Sequence, residues 1–192
     1  MTFTTSYRTE GLLDLLTALI KSQKPKIVLE FGTQQGSSAI AIAKGLEGGK
    51  LVTYDLFEPN YSEKPYSPTH ADKVLASENI RKAGVADKVE IRSGNVFEVW
   101  DRFEEVDILH VDLCNYFGNV YPIMEMWNDK VTKMIIFEGG DYNHWQMKLH
   151  FSPFHKVLHM PDFAKKWEHT VIRGDDTYCM TVLTRNKYDS NV

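Results

Sequence analysis

The stretch from Lys26 to Ile40, K-I-V-L-E-F-G-T-Q-Q-G-S-S-A-I, constrains this chain more than any other. Ile27 to Phe31 is an apolar run between Pro25 and Gly32, and it predicts a buried strand. Gly32 to Gly36 then makes a tight turn, and a helix opens on Ser37 and Ser38 and runs to about Leu46. The two glycines let the backbone turn sharply and approach a ligand with no Cβ in the way. The helix start offers unpaired N–H groups and the positive end of a dipole, which suits a carboxylate or a phosphate. Strand, turn and helix together predict a nucleotide-type pocket.

The kind of nucleotide follows from what is missing. A dinucleotide fingerprint needs G-x-G-x-x-G, and Gly32-Thr33-Gln34-Gln35-Gly36 lacks the middle glycine. No Gly-Lys-Ser/Thr follows, so it is no phosphate loop either. Glu30, two residues before the first glycine, is poorly placed for a pyrophosphate and well placed for an ammonium. Asp55 ends the next apolar run, Lys50 to Asp55, about 20 residues further on, where a ribose hydroxyl pair is held in such folds. A ligand with an ammonium, a carboxylate and a ribose but no phosphate is S-adenosylmethionine (SAM). Each piece alone has a plainer reading, a turn for the glycines and a solvated strand end for the acid. Their order carries the inference.

In Glu30-x-Gly32-x-x-x-Gly36 and Tyr54-Asp55 the chain resembles the class I SAM-dependent methyltransferases, whose first and second motifs these look like. The run Asn79-Ile-Arg-Lys-Ala-Gly-Val-Ala-Asp-Lys-Val, leading to Gly94-Asn95, resembles the catechol O-methyltransferase-like subgroup. The resemblance implies a Rossmann-like α/β fold: a mostly parallel seven-stranded sheet, helices on both faces and a C-terminal antiparallel hairpin. It implies SAM held by Glu30, Gly32, Thr33, Gln35, Gly36 and Ser38 at the first motif, and by Asp55 and Leu56 at the second. Gly94 and Asn95 would meet adenine, and Asp112, at the end of strand four, would also contact the cofactor. Asn95 can donate and accept, which suits adenine's edge; capping the following helix is the compatible alternative.

For catalysis the same resemblance implies an Asp after strand four, an Asp-Asn pair after strand five and a lysine base. Asp112 fits the first; Glu138 and Gly139 replace the pair, and Asn115 stands where the lysine would be. Glu138 can ligate Mg²⁺, whereas Gly139 offers only a carbonyl, so Mg²⁺ is possible and the ligand set stays open. His144, just past strand five, is the alternative base. His110 lies inside strand four and reads as a core or near-core residue. The expected reaction is methyl transfer to a hydroxyl of a small molecule. A nitrogen or sugar-hydroxyl acceptor and a catalytically decayed, cofactor-binding partner subunit are the alternatives.

The remaining chain fills one domain over residues 1–192. A leading helix, Thr9 to Ser22 within residues 1–24, carries Leu12, Leu13, Leu15, Leu16, Leu19 and Ile20 at helical spacing. It reads as a packing helix or a pocket wall, and hints at a homodimer. Glu58 to His70 holds three prolines and two tyrosines without periodicity, and reads as a lid or a variable loop. Further helices are expected at Thr69–Ala83 (Val74, Leu75 and Ile80 inward), Val96–Phe103 and Tyr116–Trp127. Further strands are expected at Lys88–Arg92, Val106–Val111 and Thr132–Phe137. A part-helical segment to about His159 precedes a hairpin of Glu168–Ile172 and Thr177–Thr184.

Lys and Arg number 22 against 26 acids, a net charge of −4, with no basic cluster to neutralise phosphates. No standing nucleic-acid partner is expected. Cys114 and Cys179 have neither metal-type spacing nor a disulfide framework, which suits a reducing compartment. The polar start M-T-F-T-T-S-Y-R lacks the shape of a signal peptide, and Leu12 to Ile20 is too short to span a bilayer. A cytoplasmic protein without membrane attachment is expected.

Overall fold

The computed structural model describes residues 10–57, 71–113, 117–139, 160–173 and 179–186. Helix α1 (Glu10–Gln23) leads into β1 (Ile27–Phe31), α2 (Ser37–Gly45), β2 (Lys50–Asp55), α3 (Lys73–Lys82) and β3 (Val89–Ser93). Then come β4 (Val106–Val111), α4 (Phe117–Trp127), β5 (Val131–Glu138), the single turn α5 (Pro161–Ala164), β6 (Trp167–Arg173) and β7 (Cys179–Arg185). The seven strands form one sheet in the order β3-β2-β1-β4-β5-β7-β6. The first five are parallel, and β7 runs antiparallel to both β5 and β6. The expected sheet and its antiparallel C-terminal strands are therefore present. The Glu58–His70 loop, the segment from Asp141 to His159 and the Gly174 turn lie outside the described residues.

Alternation along each strand divides the apolar residues between two faces. Val28, Leu51, Ile108, Ile136 and Val182 pack under α1, α2 and α3. Leu29, Val52, Leu109, Ile135 and Phe137 pack with Val120, Ile123, Met124 and Trp127 of α4. Both faces are covered, which is why the parallel strands read as nearly continuous apolar runs.

Helix α1 sits close on α2. Leu12, Leu16 and Ile20, one turn apart, are its buried row. A Cβ on Gly45 would lie 2.6 Å from the Thr17 carbonyl, so only glycine permits this approach. Thr17 Oγ1 also donates to the Ala41 carbonyl at 2.9 Å.

Two expectations need correction. Val96–Phe103 is not an α-helix but two 3₁₀ turns, Val96–Glu98 and Trp100–Arg102. Val96 and Val99 are both buried, and a three-residue repeat keeps them on one side, where these β-branched residues pack on the sheet. In α3, Val74 faces out at 70% exposure, and Ala76, Asn79 and Ile80 face in. Asp72 sets that register: its carboxylate accepts from Val74 N and Leu75 N, so the helix opens at Lys73. No helix among the described residues is long and apolar enough to cross a membrane.

Candidate active site

The site lies at the carboxyl edge of the parallel strands, where the order reverses between β1 and β4. Gly32 leaves β1 at φ +99°, a conformation that favours glycine, and donates to the Tyr54 carbonyl at 2.8 Å. Gly36 N closes the turn on the Thr33 carbonyl at 2.7 Å. The Thr33 and Thr53 hydroxyls meet at 2.6 Å. Asn79, buried on α3, donates to the Gln35 carbonyl at 3.0 Å and supports the turn from behind. Asn79 opens the run that resembles the catechol O-methyltransferase-like subgroup, but that run assigned it no role in the site.

Helix α2 begins without a side-chain cap and with no acid in its first turn. Its first internal bond runs from Ile40 N to the Gly36 carbonyl at 2.9 Å, so the N–H groups of Ser37, Ser38 and Ala39 precede the ladder. Ser37 and Ser38 are buried, and Ser37 Oγ has no partner among the described residues. This end suits an anion by charge and by geometry.

Glu30 is fully buried in β1 and pairs in register with His110 of β4. His110 Nδ1 lies 3.1 Å from Glu30 Oε1, whereas Oε2 is buried without a partner among the described residues. His110 is thus a core residue, as its place in the strand suggests, but one that faces an acid. Two buried orphan atoms, Glu30 Oε2 and Ser37 Oγ, flank the glycine turn in sequence, an acceptor before it and a hydroxyl after it.

At the end of β2, both oxygens of Asp55 are engaged. Oδ2 accepts from Gln34 N at 2.9 Å and Oδ1 from Phe57 N at 3.3 Å, with Gln34 and Phe57 both at positive φ. Leu56 beside it is exposed. Lys73 Nζ reaches Ser93 Oγ at 3.1 Å and lies 5.9 Å from the centroid of the Phe57 ring. Gly94 N donates to the Asp55 carbonyl at 3.0 Å, which places Gly94 at the same edge. Asn95 accepts from Phe97 N at 3.1 Å and donates to Glu98 Oε1 at 3.0 Å, so its amide caps the first 3₁₀ turn.

Asp112 and Glu138 follow the paired residues Val111 and Phe137, at the ends of adjacent parallel strands. Burial, and then the Asp112 charge beside it, push the Glu138 carboxyl up to about 8. Such a pair holds a proton between them or suits a hard divalent cation. The Gly139 carbonyl, all that this position offers in place of an Asn side chain, accepts from Thr181 Oγ1 at 2.7 Å. No group of three or more His, Cys, Asp or Glu side chains converges on a cation position among the described residues. His144 and Asn115 lie outside the described residues.

Residues 29–142, more than half of the chain, match a family model described as a methyltransferase domain. The chain belongs to this methyltransferase domain family. The catechol O-methyltransferase of Niastella koreensis is 33% identical over 94 residues, 48% of this chain and 36% of that protein. The matched stretch is thus little more than a third of that relative's length. Among solved structures, this methyltransferase domain is similar to the O-methyltransferase of Bacillus cereus in complex with SAH, at TM-score 0.65 and 22% identity, covering 92% of this chain and 82% of that one. It is similar also to the O-methyltransferase TomG of Streptomyces achromogenes in complex with SAM, at TM-score 0.64 and 18% identity, covering 93% and 81%. These two likenesses show the class I fold, with the antiparallel strands of the methyltransferase domain at its C-terminal end.

Proposed function

We propose that this methyltransferase domain binds SAM and transfers its methyl group to a hydroxyl oxygen of a small molecule. One observation carries the reading. Around a single glycine turn stand a buried acid with a spare oxygen, Glu30, an uncapped helix start at Ser37–Ala39 and an acid at the β2 end, Asp55. They match an ammonium, a carboxylate and a ribose diol, and the turn lacks the middle glycine of a diphosphate-binding fingerprint. Oxygen as the acceptor atom is supported by the O-methyltransferases among the relatives.

When bound, SAM supplies a methyl group already activated on sulfur, so the protein's part is chiefly to hold the acceptor in line and manage its proton. Asp112, at the central strand end, accepts that proton while its neighbour Glu138 keeps its own. Were Mg²⁺ bound, Asp112 and Glu138 would hold it, and it would lower the pKa of the hydroxyl. The protein acts in the cytoplasm as one domain on a small-molecule acceptor.

Isothermal titration with SAM and SAH, with and without Mg²⁺, tests the cofactor. A screen of hydroxylated small molecules for methyl-donor consumption tests the activity. A chain that ignores SAM and SAH yet retains NAD or ATP overturns the proposal. Binding with no turnover on any acceptor points instead to a cofactor-binding partner subunit.

A further inference from the structure

We propose that His110 is a positioning residue of the cofactor site, which aims Glu30 at the ammonium of an α-amino-acid ligand. The inference rests on the SAM reading above and concerns a side chain outside both cofactor motifs.

Glu30 and His110 occupy neighbouring places on β1 and β4, and neither side chain touches solvent. A Glu30 that holds an ammonium acts as a carboxylate, which only accepts, so in this role the shared hydrogen belongs to Nδ1 of His110. The last torsion of a Glu side chain is soft, and an unrestrained carboxyl turns freely about it. A bond from Nδ1 to Oε1 removes that freedom and fixes where Oε2 points. On the other side, Glu30 is in register with Thr53, whose hydroxyl is engaged with Thr33. The restraint on Glu30 therefore comes from β4.

The remaining oxygen defines the ligand. A purely architectural pair in a sheet interior would satisfy both oxygens, because an unmet buried acceptor costs more than the bond beside it returns. Oε2 is unmet among the described residues. It lies two residues before the turn that leads into the uncapped start of α2. A donor cation on Oε2 and a carboxylate at that helix start describe the two ends of an α-amino acid.

The test compares two ligands on the same protein: S-adenosylhomocysteine, and 5′-methylthioadenosine, which lacks the amino-acid tail. Calorimetry is run on the wild type, His110→Asn and His110→Gln, with thermal unfolding recorded for each. Asn puts an amide nitrogen where Nδ1 stood, whereas Gln puts it where Nε2 stood. His110→Gln is expected to weaken S-adenosylhomocysteine about 10- to 100-fold and to leave methylthioadenosine within about 3-fold. His110→Asn is expected to stay within about 3-fold of the wild type for both. Equal losses on both ligands in the Gln variant, or no loss on either, overturn the proposal and leave His110 a packing residue. Should His110→Gln not fold, the Asn variant decides: retained preference for the amino-acid ligand supports the proposal, and lost preference overturns it. A wild type that binds neither ligand overturns the SAM reading as well. One that binds both equally overturns this inference alone.

Discussion

The main-chain carbonyl of Asp112 fills the space that a side chain on Gly32 would need: an added Cβ would lie 2.1 Å from its oxygen. The end of β1 is thereby held against the end of β4, and the cofactor turn starts beside a candidate catalytic acid. Gly32→Ala meets two penalties, since φ is +99° and the atoms in the way are backbone that cannot swing aside. A loss of at least about 3 kcal/mol is expected, seen as a fall in Tm of about 6 °C or more. Gly48→Ala is the control, because nothing lies within 4 Å of its added Cβ. It should change stability by less than about 0.5 kcal/mol.

Asp55 joins the glycine turn to the ribose position. Asp55→Asn would set an amide N–H against the N–H of Gln34 or Phe57, both of which now donate to the carboxylate. Affinity for S-adenosylhomocysteine, read by calorimetry, is expected to fall about 10- to 100-fold. An unchanged affinity would leave Asp55 as a clamp on the turn and take the ribose from it.

The raised Glu138 carboxyl makes stability depend on pH in a definite direction. Its proton is held up to about 8 in the folded protein, against 4.5 for an ordinary Glu. Between these values the folded state binds more protons than the unfolded one, so stability falls as pH rises. This contribution is complete below 4.5 and gone above about 8. Tm measured from pH 5 to pH 9 should decline less in Glu138→Gln than in the wild type. A parallel decline in the two proteins would remove Glu138 as its source.

Asp112 and His144 make opposite predictions for the acceptor's proton. Asp112→Asn is expected to lower kcat/KM by about 100-fold or more, with His144→Gln costing only a few-fold. Steady-state kinetics with Mg²⁺ and with a chelator separate the routes. A large loss in both Asp112→Asn and the chelated wild type favours the cation. A large loss only in the His144 variant moves the base to that histidine.

How much was legible depended on the range of the interaction. Ile27–Phe31 was readable to the residue, because strand, glycine turn and helix are local patterns and Pro25 and Gly32 mark the ends. The C-terminal strands were readable for the same reason. Val96–Phe103 misled, since a short run with two valines has weak helical preference and packing on the sheet settled it as 3₁₀ turns. Val74 misled because apolar character says nothing of phase, which the Asp72 cap fixes. In the site, the acids were nameable from their places at strand ends. The pairing of Glu30 with His110, and the effect of Asp112 on Glu138, arise from strand register, and no local pattern carries that.

Gln34 is gripped from two directions: its N–H goes to Asp55 and its carbonyl accepts from Asp72 N at 3.3 Å. The chain therefore leaves β2 and comes back to α3 at one and the same residue, like a strap buckled to a single pin. Loop closure grows slowly with length, about 0.6 kcal/mol per doubling, so an excursion that starts and finishes at a common anchor tolerates wide changes in size. Insertions or deletions between Phe57 and Ala71 are therefore expected to leave the glycine turn in place.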